Sequence, residues 1–276
     1  MPGPNPATDR ADAAALAGRT ILAVFAHPDD ESLACGGTLA RAADAGARVV
    51  LLCASRGERG SLSDPGLVRD GNLGLERTRE LRRAAARLGI SEVVVFDHPD
   101  GDLRWAHVGL LHNEIVVMIR EYRPDAVITF GEDGLYWHLD HIGVHERTYT
   151  AVLSLGPDAP PLYYVTLPHG VMVQVVEAAH GKSGAPPDST LWGIDPAVFG
   201  EAAKPADFVV DVRPWVGRKL AALRCHRTQM GPHNPFAWID EDEARRWLGF
   251  EHFRRSPLAT SRQGLREPLG EPVPSS

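Results

Sequence analysis

The segment ILAVFAHPDDE at residues 21–31 decides how the chain folds. Its apolar half has the length of a buried strand, which must end at Pro28 because proline cannot donate a hydrogen bond to a neighbouring strand. Gly36 and Gly37 follow within an alanine-rich segment, a pattern that predicts a helix packed closely on that strand. We therefore expect a strand–loop–helix crossover that places His27 and three carboxylates at the carboxyl end of the strand, where open α/β sheets bind ligands.

The residue types in this loop indicate a metal site. Three carboxylates and one imidazole within five residues are costly to bury unless a positive charge lies among them. A divalent metal ion would supply that charge, with His27 and Asp30 facing the ion and Asp29 directed at its bound water. The alternative is a solvated turn before an acidic helix N-terminus, since Asp and Glu stabilise the first turn of a helix.

Composition argues against several classes of protein. The chain has 276 residues, of which 43% are hydrophobic and 24% charged, as is usual for a soluble globular enzyme. Its formal net charge of -7 argues against nucleic-acid binding. No apolar run approaches the ~20 residues of a membrane span, and the N-terminus lacks the apolar core of a secretory signal. The three cysteines are far apart and never form a C-x-x-C pair, so we expect a reducing, cytoplasmic location.

Strand-length apolar runs alternate with helical patterns along most of the chain. Strands are predicted at about 20–26, 48–54, 93–96, 126–130, 162–167 and 208–212, and helices at about 32–45, 73–88, 108–122, 140–153, 215–226 and 240–248. Short links between these elements favour right-handed crossovers. The fold class is therefore expected to be α/β, a doubly wound, mostly parallel sheet with the active site at the carboxyl ends of the strands.

One large domain accounts for most of this pattern. Residues 1–18 are expected to form an N-terminal lead-in, residues 19–255 a single α/β domain, and residues 256–276 a loose C-terminal tail. Several proline and glycine residues predict a loop-rich insertion at about 170–206 within the domain. No G-x-G-x-x-G follows the first strand, which argues against dinucleotide binding.

A second polar cluster, YWHLDH at residues 136–141, follows the fourth predicted strand. Because parallel strands end at one edge of a sheet, this cluster is expected to approach the first. His27, Asp30 and His141 would then form a set of two imidazoles and one carboxylate, which in hydrolytic zinc sites leaves a position for water. The alternative is a polar helix face, since His138, His141 and His145 are spaced to line one side of a helix.

The other residues of the two clusters suit amide hydrolysis. A zinc ion lowers the pKa of its bound water towards ~7, and Asp29 is placed to take the proton and return it to a leaving amine. His138 could stabilise the developing oxyanion, and Asp140 could hydrogen-bond His138 and hold it oriented. These roles favour the addition of water to a planar carbonyl group.

The two clusters resemble the paired motifs of the PIG-L/LmbE-like metal-dependent deacetylases, the N-acetylglucosaminyl deacetylase superfamily. AHPDDE at residues 26–31 is similar to the first motif, and HLDH at residues 138–141 resembles the H-P-D-H motif. The resemblance implies a Rossmann-like three-layer sandwich. It also implies zinc ligands at His27, Asp30 and His141, the general base at Asp29, the oxyanion-stabilising histidine at His138 and a substrate contact at Tyr136.

Further segments extend this resemblance over about residues 20–230. They are similar to a G-E-x-G loop at 55–60, an R-x-x-E helix start at 77–80, a D-G turn at 100–101 and a late H-x-[ST]-Q segment at 226–229. The residues assigned to substrate binding are Arg77, Tyr136, Glu58 and Asp100. The alternative for Arg77 is a helix-surface ion pair, and for Glu58 an anchor of its own loop.

Two departures from the family pattern affect substrate choice rather than the metal. Leu139 replaces the usual proline of the second motif, and Trp137 replaces a common glycine. Neither changes a ligand type, so metal binding is expected to persist. Trp137 is expected to stack on a sugar ring or to narrow the pocket.

The sequence therefore predicts a zinc-dependent hydrolase that removes an acetyl group from an N-acetylglucosamine-like substrate, with Fe2+ as the alternative cellular metal. Two other functions stay open: an amidase that cleaves a mycothiol-type thiol-sugar conjugate, and a non-catalytic metal- or sugar-binding module on the same fold. The expected partner is a small amino sugar, with no nucleic acid and no membrane span, and a homo-oligomer is also open.

Overall fold

The computed structural model describes residues 16–68, 71–105, 108–185, 191–262, 264 and 270–272. One sheet runs through these ranges. Its strands are β1 (Thr20–Phe25), β2 (Arg48–Ser55), β3 (Glu92–His98), β4 (Ala126–Phe130), β5 (Leu162–Thr166), β6 (Phe208–Asp211), β7 (Phe250–Arg255) and β8 (Glu271–Pro272). The strand order is β3-β2-β1-β4-β5-β7-β6-β8, parallel from β3 to β5 and antiparallel from β5 to β8. The expected mostly parallel α/β sheet is confirmed.

Helices connect and cover the strands. They are α1 (Asp30–Asp44), α2 (Leu73–Leu88), α3 (Val108–Tyr122), α4 (Gly134–Trp137), α5 (Leu139–Ser154), α6 (Val171–His180), α7 (Val216–Leu223) and α8 (Glu241–Trp247). Helix α7 packs on α1 and α2, whereas α3 packs on α5. Within the described ranges, no helix is long and apolar enough to cross a membrane.

The topology brings the two polar clusters together. Strands β1 and β4 are neighbours in the sheet, although the chain first moves outward from β1 through β2 to β3. The order of strands reverses between β1 and β4, and such a switch point opens a crevice at the carboxyl ends of the strands. Both strands are almost completely buried, so their ends are fixed by the core. The loops after β1 and β4 are therefore held side by side.

The insertion predicted as loop-rich at about 170–206 begins instead with a helix, α6. Met172, Val175, Val176 and Ala179 are buried at helical spacing. Four valines in this segment have low helix propensity and obscure the pattern in sequence, but packing of the apolar face outweighs that preference. Residues 191–206 form turns, an isolated bridge between Leu191 and Ile194, and one 3-10 helix at Pro196–Val198.

Strand β7 and strand β8 were absent from the sequence prediction. In β7 the inward positions include Glu251, which breaks the apolar alternation expected of a half-buried strand. Its buried carboxylate accepts hydrogen bonds from the backbone N–H groups of Gly37 (2.9 Å) and Thr38 (2.7 Å) and pairs with Lys219 (2.6 Å). These partners satisfy the charge, so the strand forms. Strand β8 pairs with β6 inside the region expected to be a loose tail. Much of that tail, and residues 1–15 of the expected N-terminal lead-in, lie outside the described residues.

Candidate metal centre and substrate pocket

The polar loops after β1 and β4 both contain unusual backbone conformations at the crevice. After β1, Asp29 has a positive φ of 117° and precedes α1, while the His27 backbone N–H donates to Asp30 Oδ2 at 2.7 Å. After β4, Leu135 (φ 69°) and Trp137 (φ 64°) also lie in the left-handed region before α5 begins. Non-glycine residues with positive φ are uncommon and mark ligand sites when the fold over-determines them.

The three predicted ligands meet in one place. His27 Nδ1 lies 3.3 Å from His141 Nε2, which lies 3.1 Å from Asp30 Oδ1, and His27 Nδ1 lies 3.5 Å from Asp30 Oδ2. Tetrahedral zinc with bonds of ~2.0–2.1 Å separates its ligand atoms by about 3.3–3.4 Å. All three side chains are buried. Without a metal ion between them, the two imidazoles and the carboxylate would be poorly solvated there. The donor set of two imidazoles and one carboxylate fits one zinc-type ion, with Asp30 Oδ1 facing His141 and Oδ2 facing His27.

The opposite nitrogen of His27 is held by two carboxylates. Nε2 lies 3.1 Å from both Asp140 Oδ2 and Asp100 Oδ1. These carboxylates also accept backbone N–H groups, Asp140 from Gly101 and Leu103 and Asp100 from Arg59. Although burial acts against it, the hydrogen bond with His27 lowers the pKa of Asp100 to about 2. The His27 N–H is therefore fixed on Nε2, which leaves Nδ1 free to bind a metal.

The expected hydrogen bond from the Asp140 side chain to His138 is not formed. Instead, the backbone N–H of Asp140 donates to His138 Nδ1 at 3.2 Å, so His138 caps the N-terminus of α5. Burial, together with neighbouring His141 and His27, lowers the pKa of His138 to about 4. His138 is thus a neutral imidazole whose remaining proton lies on Nε2, available to a ligand in the pocket.

Asp29 lies beside the ligand set without joining it. Its Oδ2 accepts a hydrogen bond from Arg77 Nη2 at 3.1 Å, and its backbone N–H donates to Glu31 Oε2 at 3.1 Å. Burial raises the pKa of Asp29 to about 6, although Arg77 opposes this shift. The carboxylate is therefore ionised at neutral pH but close enough to that range to accept a proton.

Arg77 binds protein atoms rather than open solvent. Its side chain is 4% exposed, and it donates to the carbonyl oxygens of Gly57 and Pro28, each at 2.7 Å, as well as to Asp29. It borders the pocket, yet these contacts make it mainly a positioning residue for Asp29. The helix-surface alternative does not hold, because a surface ion pair would be solvated.

Glu58 and Asp100 join two loops of the site. Glu58 Oε1 accepts the backbone N–H of Asp100 at 2.9 Å, while Glu58 itself is exposed and outside the pocket lining. Asp100 does line the pocket, but its carboxylate is directed to His27. The loop-anchor alternative therefore describes Glu58 better than substrate binding does.

A pocket of about 320 Å³ opens beside these residues. His27, Asp29, Asp30, Tyr136 and His138 line it, and the Tyr136 ring lies 5.2 Å from the His141 ring and 4.5 Å from the Phe199 ring. Trp137 is 53% exposed and lies outside the lining, which contradicts its predicted role in narrowing the pocket.

Several pocket residues were missed by the sequence prediction. They are Leu33, Arg59, Gly60, Ser61, Trp192 and Ile194, and Gln229 lines the pocket as well. The late H-x-[ST]-Q segment did signal Gln229, whose Nε2 donates to the Ser61 carbonyl oxygen at 2.6 Å. That segment is anchored by Thr228, which donates its backbone N–H to Glu80 at 2.9 Å, and by His226, whose Nε2 lies 3.1 Å from Glu31 Oε1. Trp192 had no motif to reveal it.

Replacement of Gly57 by alanine is expected to misplace Arg77. The new Cβ would lie 2.3 Å from Arg77 Nη1, so the guanidinium must leave the Asp29 carboxylate. We expect Gly57→Ala to lower kcat/KM about tenfold or more, since a displacement of ~1 Å can cost up to ~100-fold. Gly71→Ala is the matched control, because Gly71 has the same kind of left-handed φ (65° against 64°) with no atom within 4 Å. Equal activity in the two variants would contradict the positioning role.

The sequence was compared with protein-family models and with known relatives. The family model described as PIG-L: GlcNAc-PI de-N-acetylase matches residues 22–152, which include both polar clusters. A 1D-myo-inositol 2-acetamido-2-deoxy-alpha-D-glucopyranoside deacetylase from Thermobispora bispora is 33% identical over 273 residues, covering 86% of this chain and 88% of the relative. The chain therefore belongs to the PIG-L family and is a metal-dependent deacetylase, a hydrolase of amide bonds.

Solved structures share the architecture. The conserved protein TT1542 from Thermus thermophilus superposes with a TM-score of 0.57 at 25% identity, over 87% of this chain and 94% of that protein. The N,N'-diacetylchitobiose deacetylase from Pyrococcus horikoshii gives a TM-score of 0.59 at 21% identity, over 87% and 84% of the two chains. The second likeness concerns the fold alone. The family resemblance and fold class expected from the sequence are confirmed.

Proposed function

We propose that this deacetylase uses zinc to remove the acetyl group from N-acetylglucosamine joined to inositol, the substrate named for its Thermobispora bispora relative. One observation carries the proposal: the imidazole nitrogens of His27 and His141 lie 3.3 Å apart, and each lies within 3.5 Å of an oxygen of the Asp30 carboxylate, beside Asp29 and His138 in a single pocket. A cavity of about 320 Å³ falls within the range of small-molecule sites. The high coverage of the relative supports the choice of substrate.

The residues of the site divide the work of amide hydrolysis. His27, Asp30 and His141 would hold the zinc ion, which when bound would polarise the acetyl carbonyl and lower the pKa of a water molecule towards ~7. Asp29 accepts a proton from the attacking water and later returns it to the leaving amine. The Nε2–H of His138 donates a hydrogen bond to the carbonyl oxygen as negative charge develops there.

Asp140 and Asp100 act through His27. Both carboxylates accept a hydrogen bond from the Nε2–H of His27 and so direct its Nδ1 towards Asp30 and His141. A metal-bound histidine held in this way is a stronger donor and cannot rotate away. Asp140 is therefore proposed as a positioning residue of the metal site.

Removal of the metal is expected to abolish amine release. Because metal activation is worth several kcal/mol of transition-state stabilisation, chelated enzyme should lose about 1,000-fold or more in kcat, and one equivalent of zinc should restore it. The measurement is amine release from the inositol glycoside, with Fe2+ reconstitution in parallel. Full activity of the stripped protein would contradict the proposal. A higher kcat/KM for a thiol-sugar amide than for the acetylated inositol glycoside would show that the thiol-sugar conjugate, and not the proposed compound, is the preferred substrate.

We also propose a cytoplasmic location. Cys35, Cys53 and Cys225 are all free thiols in the folded chain, as is usual in a reducing compartment. Cys35 and Cys53 are buried, and burial raises the pKa of both thiols, so they have no catalytic part.

A further inference from the structure

The insertion delivers one aromatic side chain to the pocket through a tight turn. The Ile194 backbone N–H donates to the Leu191 carbonyl oxygen at 3.0 Å, and these two residues form an antiparallel bridge. The central residues, Trp192 (φ 57°) and Gly193 (φ 79°), both have positive φ. This is the pattern of a type I′ turn.

Tryptophan is an unfavourable residue at this position. The first central residue of a type I′ turn is usually Asn, Asp or Gly, because a large side chain is strained in the left-handed region. The indole Nε1 of Trp192 is also buried without a hydrogen-bond partner among the described residues. Local strain of this kind clusters at ligand sites, where the surrounding structure holds the strained residue in place.

The indole of Trp192 packs against an apolar cluster and also lines the pocket. Its ring lies 6.2 Å from the Phe236 ring, within the apolar cluster that also contains Phe199 and Leu33. Together with Ile194 it forms an apolar wall of the pocket, whereas Arg59 and Ser61 contribute polar lining. Pockets that combine an aromatic wall with a few polar groups suit ring-shaped ligands that carry hydroxyl groups.

Two aromatic side chains line the pocket, and Tyr136 is the one that packs on the histidines of the metal site. The scissile carbonyl has to reach Asp29 and His138, and the ring that packs on His138 and His141 is Tyr136. In the described part of the chain, the ring partner of Trp192 is Phe236, with no ring contact to the metal site. Trp192 is therefore a pocket aromatic that the metal site does not engage, and it is available to a second ring attached to the acetamido sugar.

We propose that Trp192 is a specificity-determining residue, whose indole packs on the C–H face of the second ring of the substrate. The proposal rests on the proposed function, since it assumes that the acetamido sugar occupies the metal site. The second ring belongs to a cyclitol or to another sugar, both of which present C–H groups on one face and hydroxyl groups at the edge. The deacetylase would thereby favour two-ring substrates over N-acetylglucosamine itself.

Trp192→Asn separates this role from a structural one. Asn suits the first central position of a type I′ turn, so the variant keeps the turn while it removes the indole. We expect kcat/KM for N-acetylglucosaminyl-inositol and for N,N'-diacetylchitobiose to fall about tenfold through KM, the size of one ring contact. The values for N-acetylglucosamine should stay within about twofold. Comparison of the cyclitol and the sugar shows which ring the wall prefers.

The matched control is Trp105→Asn, because Trp105 is 65% exposed, stacks with Arg104 and lies outside the pocket lining. Calorimetric binding of the same three compounds to zinc-loaded Asp29→Asn protein, with and without Trp192→Asn, gives a readout that does not need turnover. Binding that depends on Trp192 without amine release by the wild-type protein would overturn the proposed function and retain this inference. Equal losses for one-ring and two-ring compounds, no loss at all, or no binding by any of them would overturn the role of Trp192.

Discussion

Asp29→Asn is expected to lower kcat for amine release by about 100- to 10,000-fold, the usual contribution of a general base. The amide keeps an oxygen that can accept the Arg77 hydrogen bond, but it cannot take a proton from water. Zinc content should stay at one per chain, because Asp29 lies beside the ligand atoms and not among them. The measurements are kcat with the inositol glycoside and metal analysis of the same sample.

Asn is the informative replacement at position 29, because alanine would change two further features. Alanine at a φ of 117° is strained, whereas Asn tolerates positive φ better than most residues. Alanine would also leave part of the buried Arg77 guanidinium without its carboxylate partner, which is destabilising. Asp97→Asn is the control, since this exposed carboxylate pairs with Arg56 away from the pocket. More than a third of wild-type kcat in zinc-loaded Asp29→Asn would rule out the base.

The sheet and the meeting of His27, Asp30 and His141 could be predicted because their signals are local. Near-continuous apolar runs define β1 and β4, and Pro28 marks where the first of them ends. The order of parallel strands then brings the two loops to one edge, so residue types alone indicate a site with His27, Asp30 and His141. The proximity of the two polar loops could therefore be predicted without any knowledge of individual side-chain contacts.

The role of Asp140 could not be predicted, because it depends on a contact between distant loops. His138 and Asp140 are two residues apart at the start of a helix, where such side chains do not face each other. The Asp140 carboxylate instead crosses to His27 and to the backbone N–H groups of Gly101 and Leu103. That arrangement follows from the switch point between β1 and β4 and from the course of the loop after β3.

Substrate-binding assignments depended even more on tertiary structure. Arg77 was assigned to the substrate, but the loop carbonyls of Gly57 and Pro28 surround its guanidinium. Trp137 adjoins a motif and is exposed, whereas Trp192 carries no motif and lines the pocket. Pocket residues that directly follow a strand can be identified from the sequence. A pocket residue such as Trp192 cannot, because its place depends on how the insertion packs on Phe236.

His138→Asn is expected to lower kcat about 100- to 1,000-fold, the usual effect of removing one oxyanion donor. His138 Nδ1 caps α5, and the proposed mechanism gives its Nε2–H a second role as the donor to the substrate carbonyl. Asn is a good N-cap residue, so the helix end should remain stable, but its shorter side chain does not place a donor where Nε2 lies. The melting temperature should therefore change little while kcat falls.

His138→Ala completes the test of the two roles. Alanine removes the cap as well as the donor, so we expect the same loss of kcat with an additional loss of about 0.5–2 kcal/mol in the free energy of unfolding. His112→Asn is the control, because His112 hydrogen-bonds Thr150 on the neighbouring helix and lies outside the pocket. If His138→Asn and His112→Asn had equal kcat, the neutral Nε2–H of His138 would not be the oxyanion donor. The helix cap would then be its whole function.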